Sequence, residues 1–168
     1  IKHNDSIYNV LNSCNCNDIP NEILSLAYPT PINWRFRVPD GLIVSFIDNR
    51  CGKQEYITGK DFGDFLIWRS DGYPSYELAV VVDDADMNIT EVVRGEDLLL
   101  STARQLLLYY ALDLNVNIPQ FYHCSLVRDH NGKRLAKRDQ DTTVKSLREI
   151  HNMTPTEIIN KFFNTLKK

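Results

Sequence analysis

Ile89-Thr90-Glu91-Val92-Val93-Arg94-Gly95-Glu96-Asp97-Leu98-Leu99-Leu100-Ser101 is the stretch whose reading decides the fold. Residues 89–94 are rich in β-branched side chains, as a strand requires, and they run into Gly95. Ser101 is a good N-cap for a helix over roughly residues 102–113, with Leu106, Leu107, Tyr110 and Ala111 among its apolar positions. Strands alternating with helices define an α/β domain with a largely parallel sheet. In such sheets ligands collect at the carboxyl ends of the strands, where Arg94 falls.

Working upstream, Leu78-Ala79-Val80-Val81-Val82 is a continuous apolar run. It predicts a strand covered on both faces, with Tyr76 at its start and Asp83-Asp84 at its end. Phe65-Leu66-Ile67-Trp68-Arg69 predicts another strand, closed by Ser70-Asp71-Gly72. Trp34-Arg35-Phe36-Arg37-Val38 and Leu42-Ile43-Val44-Ser45-Phe46 flank the turn signal Pro39-Asp40-Gly41, which predicts a hairpin inserted at the sheet edge. Downstream, Phe121 to Val127 predicts a strand and Asp129-His130-Asn131-Gly132 a tight turn. Thr154-Pro155-Thr156-Glu157 is a capping box that opens a helical tail. Ile158, Ile159, Phe162, Phe163 and Leu166 should share one face of that helix.

Composition limits the possibilities. A chain of 168 residues, 43% hydrophobic and 24% charged, suits one domain with a real core, or one domain and a small appendage. No apolar run reaches the roughly 18 residues of a membrane span. The net charge of −3 argues against a protein that grips nucleic acid through phosphates alone. Local basic patches remain, at Lys133, Arg134, Lys137 and Arg138, and again at Lys161, Lys167 and Lys168. The spacing of the four cysteines does not resemble a secreted disulfide framework, so reduced thiols and a cytoplasmic setting are expected. Ile1 begins neither a signal peptide nor a Met start, and reads as an internal point of a longer chain.

Four groups of residues could carry chemistry. Lys133 to Arg138 follow the Asn-Gly turn and could reach nucleotide phosphates, or could be a solvated basic turn. Arg94 could hold a carboxylate bidentately, with Tyr76 on a neighbouring element, or could pair with Glu96 or Asp97. Asp83, Asp84 and Asp86 could bind Mg²⁺, or cap and solvate a loop. Cys14-x-Cys16 supplies two thiols, whereas zinc normally takes four ligands.

Longer motifs bring a family into view. Asp64 to Gly72, Tyr76 to Asp84, Val93 to Gln105, Pro119 to His123 and Arg134 to Arg138 resemble, in order and spacing, the glutamyl-tRNA synthetase superfamily. The resemblance covers roughly residues 34–140. It implies a Rossmann-type class I synthetase catalytic domain, here partial, with a β-hairpin insertion and a C-terminal helical tail. It also implies ATP with Mg²⁺, glutamate and tRNA as ligands. Tyr76 and Arg94 would bind glutamate. Arg134, Leu135, Ala136, Lys137 and Arg138 would form the KMSKS-type loop, with Lys137 as its catalytic, ATP-contacting lysine. Ala136 stands where that motif has a serine, so any hydrogen bond of that hydroxyl is lost.

Within the family, Trp34 to Gly41 and the short stretch after Arg138 resemble the glutamyl-queuosine tRNA(Asp) synthetase branch. That branch implies transfer of the glutamyl group to the queuosine base of tRNA(Asp), a cytoplasmic location, no membrane and a monomer when full length; the alternatives are a truncated glutamyl-tRNA synthetase charging tRNA(Glu), or a non-catalytic synthetase-derived module that binds tRNA or a protein partner. Its zinc site maps onto Cys14, Cys16 and Tyr28, but the fourth position falls on Ile32, which cannot ligate. Zinc is therefore expected to be absent or completed from elsewhere. Residues 1–33 would be the remnant of that insertion, 34–140 the C-terminal part of the catalytic domain, and 141–168 the helical tail. The family's HIGH motif has no counterpart here, so these residues alone are expected to be incomplete for catalysis and to aggregate or need a partner.

Overall fold

The computed structural model describes residues 32–128 and 143–166. Its strands are β1 (Trp34–Phe36), β2 (Ile43–Asp48), β3 (Gly52–Ile57), β4 (Phe65–Trp68), β5 (Glu91–Gly95) and β6 (Gln120–Cys124). Its helices are α1 (Tyr76–Asp86), α2 (Leu99–Ala111), α3 (Val144–Glu149) and α4 (Pro155–Leu166). β1 and β4 form a two-stranded antiparallel sheet, and the larger sheet has the order β3-β2-β6-β5. β2 runs antiparallel to β3 and parallel to β6. The architecture is α/β as expected, but the larger sheet is mixed rather than largely parallel.

The described residues fall into two compact units, one within Ile1–Arg94 and Leu98–His123, the other within Gly95–Asp97 and Cys124–Lys168. In the first, Val44, Phe62, Phe65, Val81, Ala103, Leu106, Leu107, Tyr109 and Phe121 are buried in one cluster. In the second, Thr143 caps α3 by accepting from the Ser146 amide at 3.1 Å. The predicted capping box of α4 is present: the Glu157 amide donates to Thr154 Oγ1 at 3.3 Å, and the Thr154 amide to Glu157 Oε2 at 2.7 Å. The Thr154 amide and hydroxyl hold the Glu157 carboxyl below its ordinary range. On α4, Ile158 is buried, whereas Ile159 and Phe163, on the same face of the helix, are exposed.

The hairpin is displaced by one strand from its predicted place. The chain does turn at Asp40-Gly41, and buried Thr58 pins that turn by accepting from the Leu42 amide at 2.8 Å and donating to the Pro39 carbonyl. The turn does not join β1 to β2, however. β1 pairs instead with β4, reinforced by the Val38 amide on Asp64 Oδ1 at 2.7 Å. β2 pairs along its whole length with β3, an edge strand whose Lys53, Gln54 and Glu55 hid it from a hydrophobic pattern.

Two helices also depart from expectation. Residues 78–82 are not a strand but the middle of α1. Ser75 caps that helix, and Leu78, Val81 and Ala85 recur at helical spacing toward the core, where α1 packs against α2. Asp83 and Asp84 therefore lie inside a helix, not in a loop after a strand. α2 begins earlier than predicted. A 3₁₀ turn at Glu96–Leu98 leads into Leu99, and Ser101 is a buried helical residue rather than the cap. Among the described residues no helix is long and apolar enough to cross a membrane.

Candidate functional site

Arg94 is the hub of a polar cluster assembled from five elements of the first unit. It stands near the end of β5, next to β6 in the sheet. Its Nε donates to His123 Nε2 at 3.1 Å. One Nη2 hydrogen goes to Thr102 Oγ1 at 2.7 Å and the other to Gln105 Oε1 at 2.8 Å, both on α2. Nη1 donates to the Tyr76 hydroxyl at 3.3 Å, at the first residue of α1. A guanidinium has five N–H groups. Among the described residues one remains, on Nη1, beside a Tyr76 hydroxyl that is free to donate its own proton.

This arrangement changes what Arg94 can do. Both Nη2 hydrogens are committed, so a carboxylate would be held by one Nη1–H and the Tyr76 O–H rather than by the guanidinium fork. Tyr76 is 54% exposed, which leaves its hydroxyl accessible to a ligand. Behind the site, Gln105 Nε2 donates to Glu77 Oε2 at 2.7 Å, which fixes the orientation of its amide. Glu77 Oε1 lies 3.9 Å from Arg104 Nη1, and Arg104 in turn stacks over Phe62 and Phe65.

Beneath Arg94 lies a buried pair that sequence reasoning missed. His123 Nδ1 is 2.7 Å from Asp48 Oδ2, and both side chains are fully buried. Asp48 also accepts from the amides of Cys51 at 2.7 Å, Arg50 at 3.1 Å and His123 at 3.0 Å. Burial alone would raise its pKa; the three amides and the imidazole outweigh it and hold the carboxyl at about 2. Arg50 Nε donates to the His123 carbonyl, which ties the β2–β3 turn to β6 again. A signal for the pair was available. Phe121 and His123 alternate with exposed Tyr122 along β6, and a histidine on the buried face of a strand needs a partner.

The remaining candidates are distributed as follows. Asp84 is half-buried with its carboxyl raised by burial, an effect that Arg94 opposes and Asp83 reinforces, while Asp83 and Asp86 are exposed on α1. Among the described residues no group of three or more His, Cys, Asp or Glu side chains could hold a metal ion. Ile32 is exposed and has no ligating atom. Cys14, Cys16, Tyr28, the turn at 129–132 and the basic loop 134–138 with Lys137 lie outside the described residues.

A class I tRNA synthetase catalytic domain is the class that this fold defines. Residues 13–164 match the family described as tRNA synthetases class I (E and Q), catalytic domain, and the chain belongs to that family. It is 46% identical over 110 residues to a glutamate–tRNA ligase of Desulfitobacterium hafniense, covering 66% of this chain and 22% of that one. It is equally 46% identical over 114 residues to a glutamyl-Q tRNA(Asp) synthetase of Burkholderia cenocepacia, covering 67% and 38%. Among solved structures, a glutamate tRNA ligase from Elizabethkingia meningosepticum in complex with its amino acid superposes with a TM-score of 0.61 at 34% identity, covering 75% of this chain and 25% of that one. The chain thus spans well under half the length of these relatives.

Proposed function

We propose that the protein containing this chain activates glutamate with ATP and passes the glutamyl group to the queuosine base of tRNA(Asp). The observation that carries the amino-acid half is the Arg94–Tyr76 pair, a cation and a hydroxyl donor side by side, in a member of the E and Q family. A carboxylate neutralised by such donors is a poor nucleophile. The pair therefore suits the side-chain carboxylate of glutamate, leaving the α-carboxylate to react.

An oxygen of that α-carboxylate attacks the α-phosphorus of ATP, and pyrophosphate leaves with the electrons of the broken P–O bond. Holding glutamate at its far end raises the effective molarity of the attack. Lys137 offsets phosphate charge as it develops, with Mg²⁺ carried on the nucleotide. A hydroxyl of the queuosine cyclopentenediol then attacks the glutamyl carbonyl, loses its proton and displaces AMP.

The resemblance of Trp34 to Gly41 to the queuosine-directed branch favours tRNA(Asp) as acceptor. The equal identity to a glutamate–tRNA ligase favours a second reading, with tRNA(Glu) as acceptor. Glutamate-dependent ATP–pyrophosphate exchange by the full-length protein, run with and without tRNA, tests activation: its absence without tRNA would sink the first reading, and its absence under both conditions would sink both. Labelled glutamate offered with queuosine-containing tRNA(Asp) and with tRNA(Glu) then separates them. Label on tRNA(Glu) alone overturns the queuosine assignment.

A further inference from the structure

We infer that Asp48 and His123 are positioning residues for Arg94: Asp48 keeps the imidazole proton on Nδ1, and the bare Nε2 anchors the guanidinium in the pose that presents its last N–H beside Tyr76. This rests on Arg94 as the glutamate-binding group. The contacts fix the tautomer. Nε2 faces the Arg94 Nε–H at 3.1 Å, and an N–H can only be received by a lone pair. Nδ1 faces an Asp48 oxygen at 2.7 Å, which requires a proton between them. The opposite tautomer would set N–H against N–H at one end and lone pair against carboxylate at the other. The Thr102 hydroxyl, 3.1 Å from Nε2, accepts from Arg94 and still has its own proton to give to Nε2 or to the Leu98 carbonyl.

A planar fork is fixed in its plane when two of its three nitrogens are held. Thr102 and Gln105 hold Nη2, His123 holds Nε, and Nη1 is thereby aimed. Because Asp48 and His123 are 1% and 0% exposed, water does not compete for either end of the imidazole. A histidine serving only to fill the core would have no need of an aspartate kept ionised at its other nitrogen, since an apolar ring such as neighbouring Phe121 fills the same space.

The test uses the full-length protein and the glutamate-dependent exchange reaction. His123→Asn can still donate to Asp48 but no longer reaches Arg94. His123→Gln can place a carbonyl oxygen where Nε2 stood but leaves Asp48. Loss of a hydrogen bond to a charged group predicts that His123→Asn raises KM for glutamate roughly tenfold or more, with KM for ATP unchanged. His123→Gln should stay within about threefold of the parent, since it retains that bond. Asp48→Asn keeps an acceptor for the turn amides but turns its other face into a donor. It should reverse the tautomer and raise KM for glutamate about tenfold without touching Arg94. Nitrogen NMR of the imidazole should show the Nδ1–H form in the parent protein, and this holds even if a His123 variant fails to fold. Equal effects of Asn and Gln at position 123, or an Nε2–H form in the parent, would overturn the inference. Arg94→Lys is the control for the reading beneath it: an unchanged KM for glutamate there removes the carboxylate assignment itself.

Discussion

At the scale of single residues, Tyr76 carries a sharp expectation. Its hydroxyl accepts from Arg94 Nη1 at 3.3 Å and has one proton left to donate. Tyr76→Phe removes that donor from an exposed position and leaves the fold untouched, so it should cost about 1 kcal/mol of glutamate binding, a five- to tenfold rise in KM. The exchange assay reads this directly, and an unchanged KM would mean that no substrate oxygen reaches the hydroxyl. Arg94 and Tyr76 stand out in the sequence by residue type and by their places beside apolar runs, but their reading as a glutamate-binding pair comes from the resemblance to the family, since Arg94 by itself could equally have paired with Glu96 or Asp97. Asp48, Thr102 and Gln105 do not stand out, and for His123 only the need for some partner was legible, because their roles come from meeting across β2, β6 and α2. Nothing local in Gln120-Phe121-Tyr122-His123 says that an aspartate 75 residues away will share its proton.

At the scale of elements, the misplaced strand at residues 78–82 shows how composition and context compete. Val80, Val81 and Val82 favour strand locally, but β propensity is weak beside burial. A capped helix that turns Leu78, Val81 and Ala85 onto α2 buries the core face and leaves Val82 45% exposed. The reassignment matters for function because it makes Tyr76 and Glu77 successive residues of a helix's first turn, one on Arg94 and the other on Gln105. The turns are more rigidly specified. Gly41 and Gly59 have φ of +75° and +80°, a region costly for residues with a Cβ. A Cβ at Gly59 would also come within 2.5 Å of Asp40 Oδ1, whereas at Gly41 it would meet nothing within 4 Å. Gly41→Ala should therefore destabilise by about 1 kcal/mol from backbone strain alone. Gly59→Ala should cost more, since Asp40 must move as well. Thermal melts of the two variants give the order, and an equal loss would mean that Asp40 swings away freely.

At the scale of the whole chain, one carboxylate joins the core to the site. Asp48 holds the β2–β3 turn through the Arg50 and Cys51 amides and holds β6 through the amide and ring of His123. Its folded pKa of about 2 lies below the ordinary 3.8. A carboxyl depressed in the folded state stabilises fully above its unfolded value, and that contribution is lost as the pH falls through the folded one. The difference corresponds to roughly 2 kcal/mol at neutral pH, present above pH 3.8 and gone near pH 2. Denaturant melts across that window should therefore show the parent protein losing about 2 kcal/mol more than Asp48→Asn, which starts less stable and has nothing to titrate at this position. Parallel pH profiles would contradict the assignment of the shift to Asp48. The same protonation takes away the acceptor that keeps the imidazole proton on Nδ1, so the guanidinium loses its anchor as the turn loses its tie.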